Sequence, residues 1–186
     1  MIETSTLWMF SCSILVLMMA PGPNMAFVIA HGIRYGWRGG VCAALGIGAA
    51  DLVLTALTAA GVTALVLQWP PAINLIRLAG AAYLLHMVWK ALASERGVAH
   101  QTAAQKSLGA IWTRSLLNSL LNPKALLFFI VFLPQFVEVS KGQLSRQLIV
   151  LGVTLALIST VFHAVLGSAG GVISRLFSVN AHTARW

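Results

Sequence analysis

The sequence predicts an all-α fold, a polytopic bundle of transmembrane helices, and three observations carry that prediction. The 186 residues are 59% hydrophobic and only 9% charged, with a mean hydropathy of +0.87, whereas soluble domains carry about 25% charged residues. The charges are also unevenly spread. Between Thr4 and Ile33, and again from Gln147 to Ser174, there is no Asp, Glu, Lys or Arg, and Gly39 to Leu67 contains Asp51 alone. Each run exceeds the roughly 20 residues needed to cross a bilayer. Tryptophans are the third observation: Trp8, Trp37, Trp69, Trp89 and Trp112 fall near the ends of these runs, where amphipathic rings favour the headgroup region.

Five spans follow, at about 7–33, 39–67, 69–92, 111–136 and 147–174, forming one transporter-sized domain over 1–186. The first is not expected to be a cleaved leader, because MIETSTLW carries a glutamate and no basic residue and the apolar stretch is long. Basic residues set the orientation. Arg34 and Arg38 follow span one; Lys90, Arg96, Lys106 and Arg114 surround the polar linker Ser94–Ser107; the QWPPAIN loop has no charge. The positive-inside rule then places the N-terminus outside and the C-terminus in the cytoplasm. The net charge of +8 is thereby explained by the bilayer, with no basic face for nucleic acid. Cys12 and Cys42 sit in apolar runs without metal-type spacing and read as buried, inert thiols.

Span one holds the first polar interruption, MMAPGPNMAF. Proline in a helix interior removes a hydrogen bond and costs about 3 kcal/mol. Unpaired backbone in hydrocarbon persists only where it is buried in protein or lines a wet cavity. Pro21 and Pro23 free carbonyls, Gly22 permits unusual dihedrals, and Asn24 is both donor and acceptor, so this break reads as a binding element for a small polar solute. A plain packing kink is the competing reading.

Span four holds the second interruption, Asn122-Pro123-Lys124, with Asn118 one turn earlier. Lys124 lies too deep to reach the cytoplasmic face readily, and a buried lysine is costly unless paired or hydrated. It is placed to hold a carboxylate, to serve as an internal cation, or to pair with Asp51; a lysine reaching the outer interface along its stem is the plainer reading. Asp51, in GIGAADLVL, is the only acidic residue in any predicted span. An intramembrane carboxylate is a functional hypothesis by default, as proton carrier, cation ligand or counter-ion, against a structural salt bridge to Lys124 or a hydrogen-bonded neutral acid. Arg77 is expected to snorkel outward, and His86 and His163 are weaker proton-relay candidates.

The two interruptions invite comparison as an inverted repeat, PGPNMAFVI against NPKALLFFI, in spans that cross in opposite directions. The similarity is weak and leaves the repeat open. No nucleophile–base spacing, zinc motif, cofactor motif or ATP-binding loop is present in the sequence. An enzyme is not indicated, and transport driven by a gradient is.

Taken together, APGPNMAFVIAHGIRYGWRGG, GIGAADLVLTAL, LAGAAYLLHMVWKAL and SLLNSLLNPKALLFFIVFLPQF resemble the LysE/RhtB family of amino-acid exporters, from Leu7 to about Trp186. The resemblance implies efflux of amino acids or close derivatives across a bacterial inner membrane, driven by the proton motive force. It marks Pro21, Gly22, Pro23, Asn24, Asp51, Asn122, Pro123 and Lys124 without assigning their roles. On the residue reading the substrate lies between the two breaks. Asn24 and the freed carbonyls meet its ammonium group, Lys124 or half-helix ends its carboxylate, and Asp51 couples to protons. Family members usually continue into a sixth span, and VNAHTARW looks like the linker before it, so the expectation is a repeat of three plus three with the last span missing. Such a chain would leave one wall of the cavity open, or borrow packing from a second copy in a homo-oligomer. The alternative to transport is a structural or regulatory membrane protein that keeps the exporter framework.

Overall fold

In a computed structural model the chain is described over residues 2–69, 71, 72, 74, 75, 78, 82 and 107–183, with side chains as far as Val172. Among the described residues all regular structure is helical. The elements are α1 (Thr4–Met19), α2 (Pro23–Gln68), α3 (Leu108–Leu120), α4 (Pro123–Leu127) and α5 (Leu144–Thr183). α4 runs on through a π-helical turn, Phe128–Phe132, and a 3₁₀ turn, Leu133–Phe136. Pro134 has no N–H to give and its ring crowds the preceding turn, which accounts for a regular helix giving way here. The Gln135 amide donates to the Val131 carbonyl at 3.2 Å, covering one of the groups this irregularity loosens.

Among the described residues two helices, Pro23–Gln68 and Leu144–Val172, are long and apolar enough to cross a membrane, and Leu108–Leu120 with Pro123–Phe136 makes a third if their short break lies inside one span. The expected span 39–67 falls within α2, and 147–174 within α5. The expected span 7–33 is divided between α1, of 16 residues, and the start of α2. Most of the span expected at 69–92 lies outside the described residues, as do Arg77, His86, Trp89 and the linker 94–106. α2 itself contains a break that was expected as a loop: Gly36, at φ 71° and ψ −172°, separates 23–35 from 37–68. A β-carbon at that φ clashes with the backbone, so glycine is required there.

The polarity of the fold is that of a membrane protein. Large apolar side chains face outward, among them Leu67 at 79%, Leu121 at 77% and Trp8 at 70% exposure, while Asp51, Ser115, Ser119, Asn122 and Gln147 are buried. Cys12 departs from the buried reading: it is exposed, and Cys42 is half-buried with its thiol on the Leu108 carbonyl at 3.0 Å.

The chain divides into two compact units. One comprises Met1–Pro21, Asp51–Gly97 and Leu120–Ile158. Its core joins Phe10 and Ile14 of α1, Leu54 and Val62 of α2, Phe129, Phe132 and Leu133, and Leu148, Leu151 and Leu155 of α5. Phe10 stacks on Phe132 at 5.8 Å and meets Phe136 edge-on at 5.0 Å, geometries aromatic pairs favour. At the end of this unit the buried Gln147 side chain accepts from the Glu138 N–H and donates to the Glu138 and Gly142 carbonyls, at 3.0, 3.0 and 2.7 Å. It thereby fixes the turn that leads into α5. Lys141 in the same turn reaches Glu3 at 2.6 Å and Glu138 at 2.8 Å. The Lys141 ammonium holds the Glu3 carboxyl below its ordinary value, and its hydrogen bonds to Glu138 and then Glu3 hold Lys141 above its own.

The other unit comprises Gly22–Ala50, Val98–Ser119 and Ser159–Trp186. Val28, Ala43, Ile47 and Ile111 form its core. Helix backbones touch here. A β-carbon on Gly40 would lie 2.5 Å from the carbonyl carbon of Gly167, and one on Gly46 would lie 2.5 Å from the Trp112 carbonyl oxygen. Small residues at such crossings allow the van der Waals contact that membrane helices rely on. Ser115 reinforces the contact by donating to the Ala43 carbonyl at 2.5 Å.

Candidate functional site

The first interruption is a gap between helices. α1 ends at Met19, Ala20 is extended at φ −65° and ψ 121°, and α2 opens on Pro23. Helix hydrogen bonds run from N–H(i) to C=O(i−4). Had α1 continued, Pro21 would have donated to Leu17 and Pro23 to Met19, and neither proline has an N–H. Pro23 is well suited to the first turn of the following helix, where its missing donor costs nothing.

The second interruption is capped. α3 ends at Leu120, and Asn122, buried at 4% exposure, is the N-cap of α4 with Pro123 at its first position. The Asn122 side-chain oxygen accepts from the Lys124 backbone N–H at 3.0 Å. Asparagine followed by proline is a strong helix-start signal, and in hydrocarbon the cap supplies a partner that water cannot.

Within the first unit, Lys124 joins these two features. Its half-buried ammonium donates to the Ala20 carbonyl at 2.7 Å and to the Leu17 carbonyl at 3.4 Å. The nearer of the two is the carbonyl of the residue that leaves α1, and the farther is Leu17, which also accepts from the Ala20 N–H at 3.3 Å. The C-terminus of a helix carries a partial negative charge, which favours a cation at this position. The expected alternative of a Lys124–Asp51 salt bridge is not formed: Lys124 is directed to backbone carbonyls. Asp51 is 3% exposed, and its own carbonyl accepts from Thr55 Oγ1 at 2.7 Å.

Within the second unit, Asn24 and Asn118 come together. Asn118 Nδ2 donates to Asn24 Oδ1, and Asn24 Nδ2 donates to Ser119 Oγ, each at 3.0 Å. Ser119 is fully buried, and the sequence reading did not single it out, since one serine in an apolar span is usually a packing residue. Its signal is the spacing: it adjoins Asn118, and both meet Asn24 in the first turn of α2. His163 is accounted for by its own helix, with Nδ1 at 2.8 Å from the Ser159 carbonyl. Among the described residues no group of three or more His, Cys, Asp or Glu is placed to hold a metal ion.

The chain as a whole is similar to known proteins. Residues 15–186 match the family model of the LysE type translocators. The chain belongs to that family. It is 35% identical to a leucine efflux protein of Enterobacter sp. (strain 638), over 182 residues that make up 96% of this chain and 85% of the relative. It is 31% identical to a leucine efflux protein of Salmonella choleraesuis (strain SC-B67) over the same shares of both chains. No solved structure matches this LysE type translocator. Both polar interruptions, Pro21 to Asn24 and Asn118 to Lys124, lie inside the region that the family model covers.

Proposed function

We propose that this LysE type translocator exports amino acids or close derivatives across a bacterial inner membrane in exchange for protons, with leucine and similarly apolar amino acids as its first candidate substrates. The N-terminus is assigned outside and the C-terminus to the cytoplasm. Pro21, Gly22, Pro23, Asn24, Asn118, Asn122, Pro123 and Lys124 are proposed to form the substrate-contacting set, and Asp51 to couple transport to protons. The observation that carries this reading is the lysine ammonium on the last carbonyls of a helix that ends before Pro21, Ala20 at 2.7 Å and Leu17 at 3.4 Å. An intramembrane cation and broken helix backbone are both expensive, and both are tolerated where solutes pass. The leucine efflux relatives support the substrate class. Asp51 is buried, as a carboxylate that takes up and releases a proton away from bulk solvent must be.

Efflux of radiolabelled amino acids from cells expressing the chain tests the proposal, beside the Asp51→Asn variant. Export of leucine that stops when the proton gradient is collapsed, and that Asp51→Asn uncouples from the gradient, is the expected result. Export no greater than in cells without the protein, with the protein verified in the membrane, would overturn it.

A further inference from the structure

The chemistry at Lys124 reverses the role that its charge alone suggests. A lysine side chain ends in a primary ammonium with three donors and one positive charge, and so does the amino end of an amino acid. Whatever the Leu17 and Ala20 carbonyls do for Lys124 they do for such a group. We propose that these two carbonyls are the ammonium subsite of the transporter, and that Lys124 is its internal occupant, displaced when a substrate binds. This rests on the exporter reading given above.

Three observations lead there. The carbonyls belong to a helix end: the chain leaves α1 at the extended Ala20, and Pro21 has no N–H to return to Leu17, whose carbonyl keeps only the Ala20 N–H at 3.3 Å. They stand at the negative end of α1, a helix of 16 residues. They already hold an ammonium, at 2.7 and 3.4 Å. Two cations on the same pair of oxygens repel, so a substrate ammonium takes the position only as Lys124 leaves it. A zwitterion brings a carboxylate that the displaced lysine then pairs with, and the exchange conserves charge within the site. An amine without a carboxylate brings no such partner. The arrangement therefore selects zwitterions over plain amines, and Lys124 sets that selectivity. A subsite open only a fraction of the time binds more weakly by that fraction.

The test uses full-length protein in detergent with L-leucine, isopentylammonium (leucine without its carboxylate) and 4-methylpentanoate (leucine without its ammonium). Binding is read by calorimetry and thermal melting for the wild type, Lys124→Met and Lys124→Arg. Wild type is expected to prefer leucine to isopentylammonium. Lys124→Met is expected to bind isopentylammonium about tenfold tighter than wild type, as removing an occupant present nine-tenths of the time would give, and to lose its preference for leucine. Lys124→Arg keeps a cation on the carbonyls and gains nothing. If Lys124→Met is too unstable to titrate, isopentylammonium should restore its melting temperature and 4-methylpentanoate should not.

A folded Lys124→Met with unchanged affinity for isopentylammonium overturns the proposal. So does a variant that loses leucine and 4-methylpentanoate together, which would make Lys124 a carboxylate clamp, or an unstable variant that the amine does not rescue. The amine readout is independent of transport. Absence of export of any of the labelled amino acids in cells alongside the expected gain in amine binding would sustain the subsite and refute the exporter reading.

Discussion

Replacing Gly40 with alanine should loosen the second unit measurably, and the size of the effect follows from the contact it disturbs. The new methyl would lie 2.5 Å from the carbonyl carbon and 2.7 Å from the Cα of Gly167, whereas carbon atoms at rest stand about 3.5–4.0 Å apart. Both obstructing atoms are backbone, so no rotamer relieves the clash and the two helices must separate by about 1 Å. Overpacking of this kind costs about 1–3 kcal/mol. Alanine returns up to about 1 kcal/mol through its better helix propensity. The net loss is about 1–2 kcal/mol, a factor of roughly 5–30 in the unfolding constant. Gly61→Ala is the matched control, since a β-carbon there meets nothing within 4 Å, and it should be neutral or stabilising by up to about 1 kcal/mol. Unfolding by sodium dodecyl sulfate in mixed micelles, followed by far-UV circular dichroism, reads the difference. A Gly40→Ala protein as stable as Gly61→Ala would refute the backbone contact. Gly167→Ala should cost a similar amount, and the pair should cost less than the sum, because helices already parted admit the second methyl.

Three further outcomes are expected. Gly36→Ala forces a β-carbon onto a residue at φ 71° and ψ −172° and should destabilise by about 1–3 kcal/mol in the same unfolding assay, and Gly36→Asn should lose about as much, because asparagine's tolerance of positive φ is confined to the left-handed helical region. A double-mutant cycle on Asn24→Ala and Asn118→Ala should return a coupling of about 0.5–1.5 kcal/mol for their 3.0 Å hydrogen bond; additive losses would mean the amides do not meet. The tie between Lys141 and Glu3 should be pH-limited at both ends. The Glu3 carboxyl is lowered, so its contribution is in place above its ordinary 4.5 and fades as pH falls through the lower folded value. Lys141 is raised, so its contribution is in place below 10.5 and is lost as pH rises through the higher folded value. Hydrogen exchange at the start of α1 should accelerate in both windows and rise with salt, and Lys141→Ala should abolish that dependence.

The helix ends and starts beside the prolines have a local cause. Proline lacks a donor wherever it stands, so Pro21, Pro23 and Asn122-Pro123 announce the ends and starts of helices, and the long uncharged runs announce apolar helices. What the runs do not encode is rotation about their own axes. In a span that is apolar all round no stripe marks the inner face, which is why Ser119 passed unnoticed beside Asn118 and Gln147 read only as the start of a run. The break at Gly36 was read as a longer loop, since RYGWRGG offers several residues that end helices and nothing local decides that one suffices. That Pro21 cannot donate to Leu17 follows from counting back four residues. That Lys124, more than a hundred positions away, reaches the Ala20 and Leu17 carbonyls is a tertiary fact that no local pattern carries.

The polar interior can be weighed against the needs of packing alone. The first unit is held by aromatic and aliphatic contacts around Phe10 and Phe132, and the second by backbone contacts at Gly40, Gly46 and Gly167. Neither uses the ammonium of Lys124 or the extended backbone at Ala20. An uninterrupted helix with leucine in place of Lys124 would satisfy every carbonyl and bury no charge, and desolvating an ammonium costs several kcal/mol before any partner is found. Two backbone oxygens compensate part of that cost and do so without a counter-charge. A purely structural protein gains nothing from this arrangement, and features that break local rules without a packing benefit are those expected at functional sites. A transporter for zwitterions does gain, since a cation held loosely enough to be exchanged is what lets a second ammonium take its place. That asymmetry of benefit, more than the presence of polar groups as such, favours transport over a scaffold.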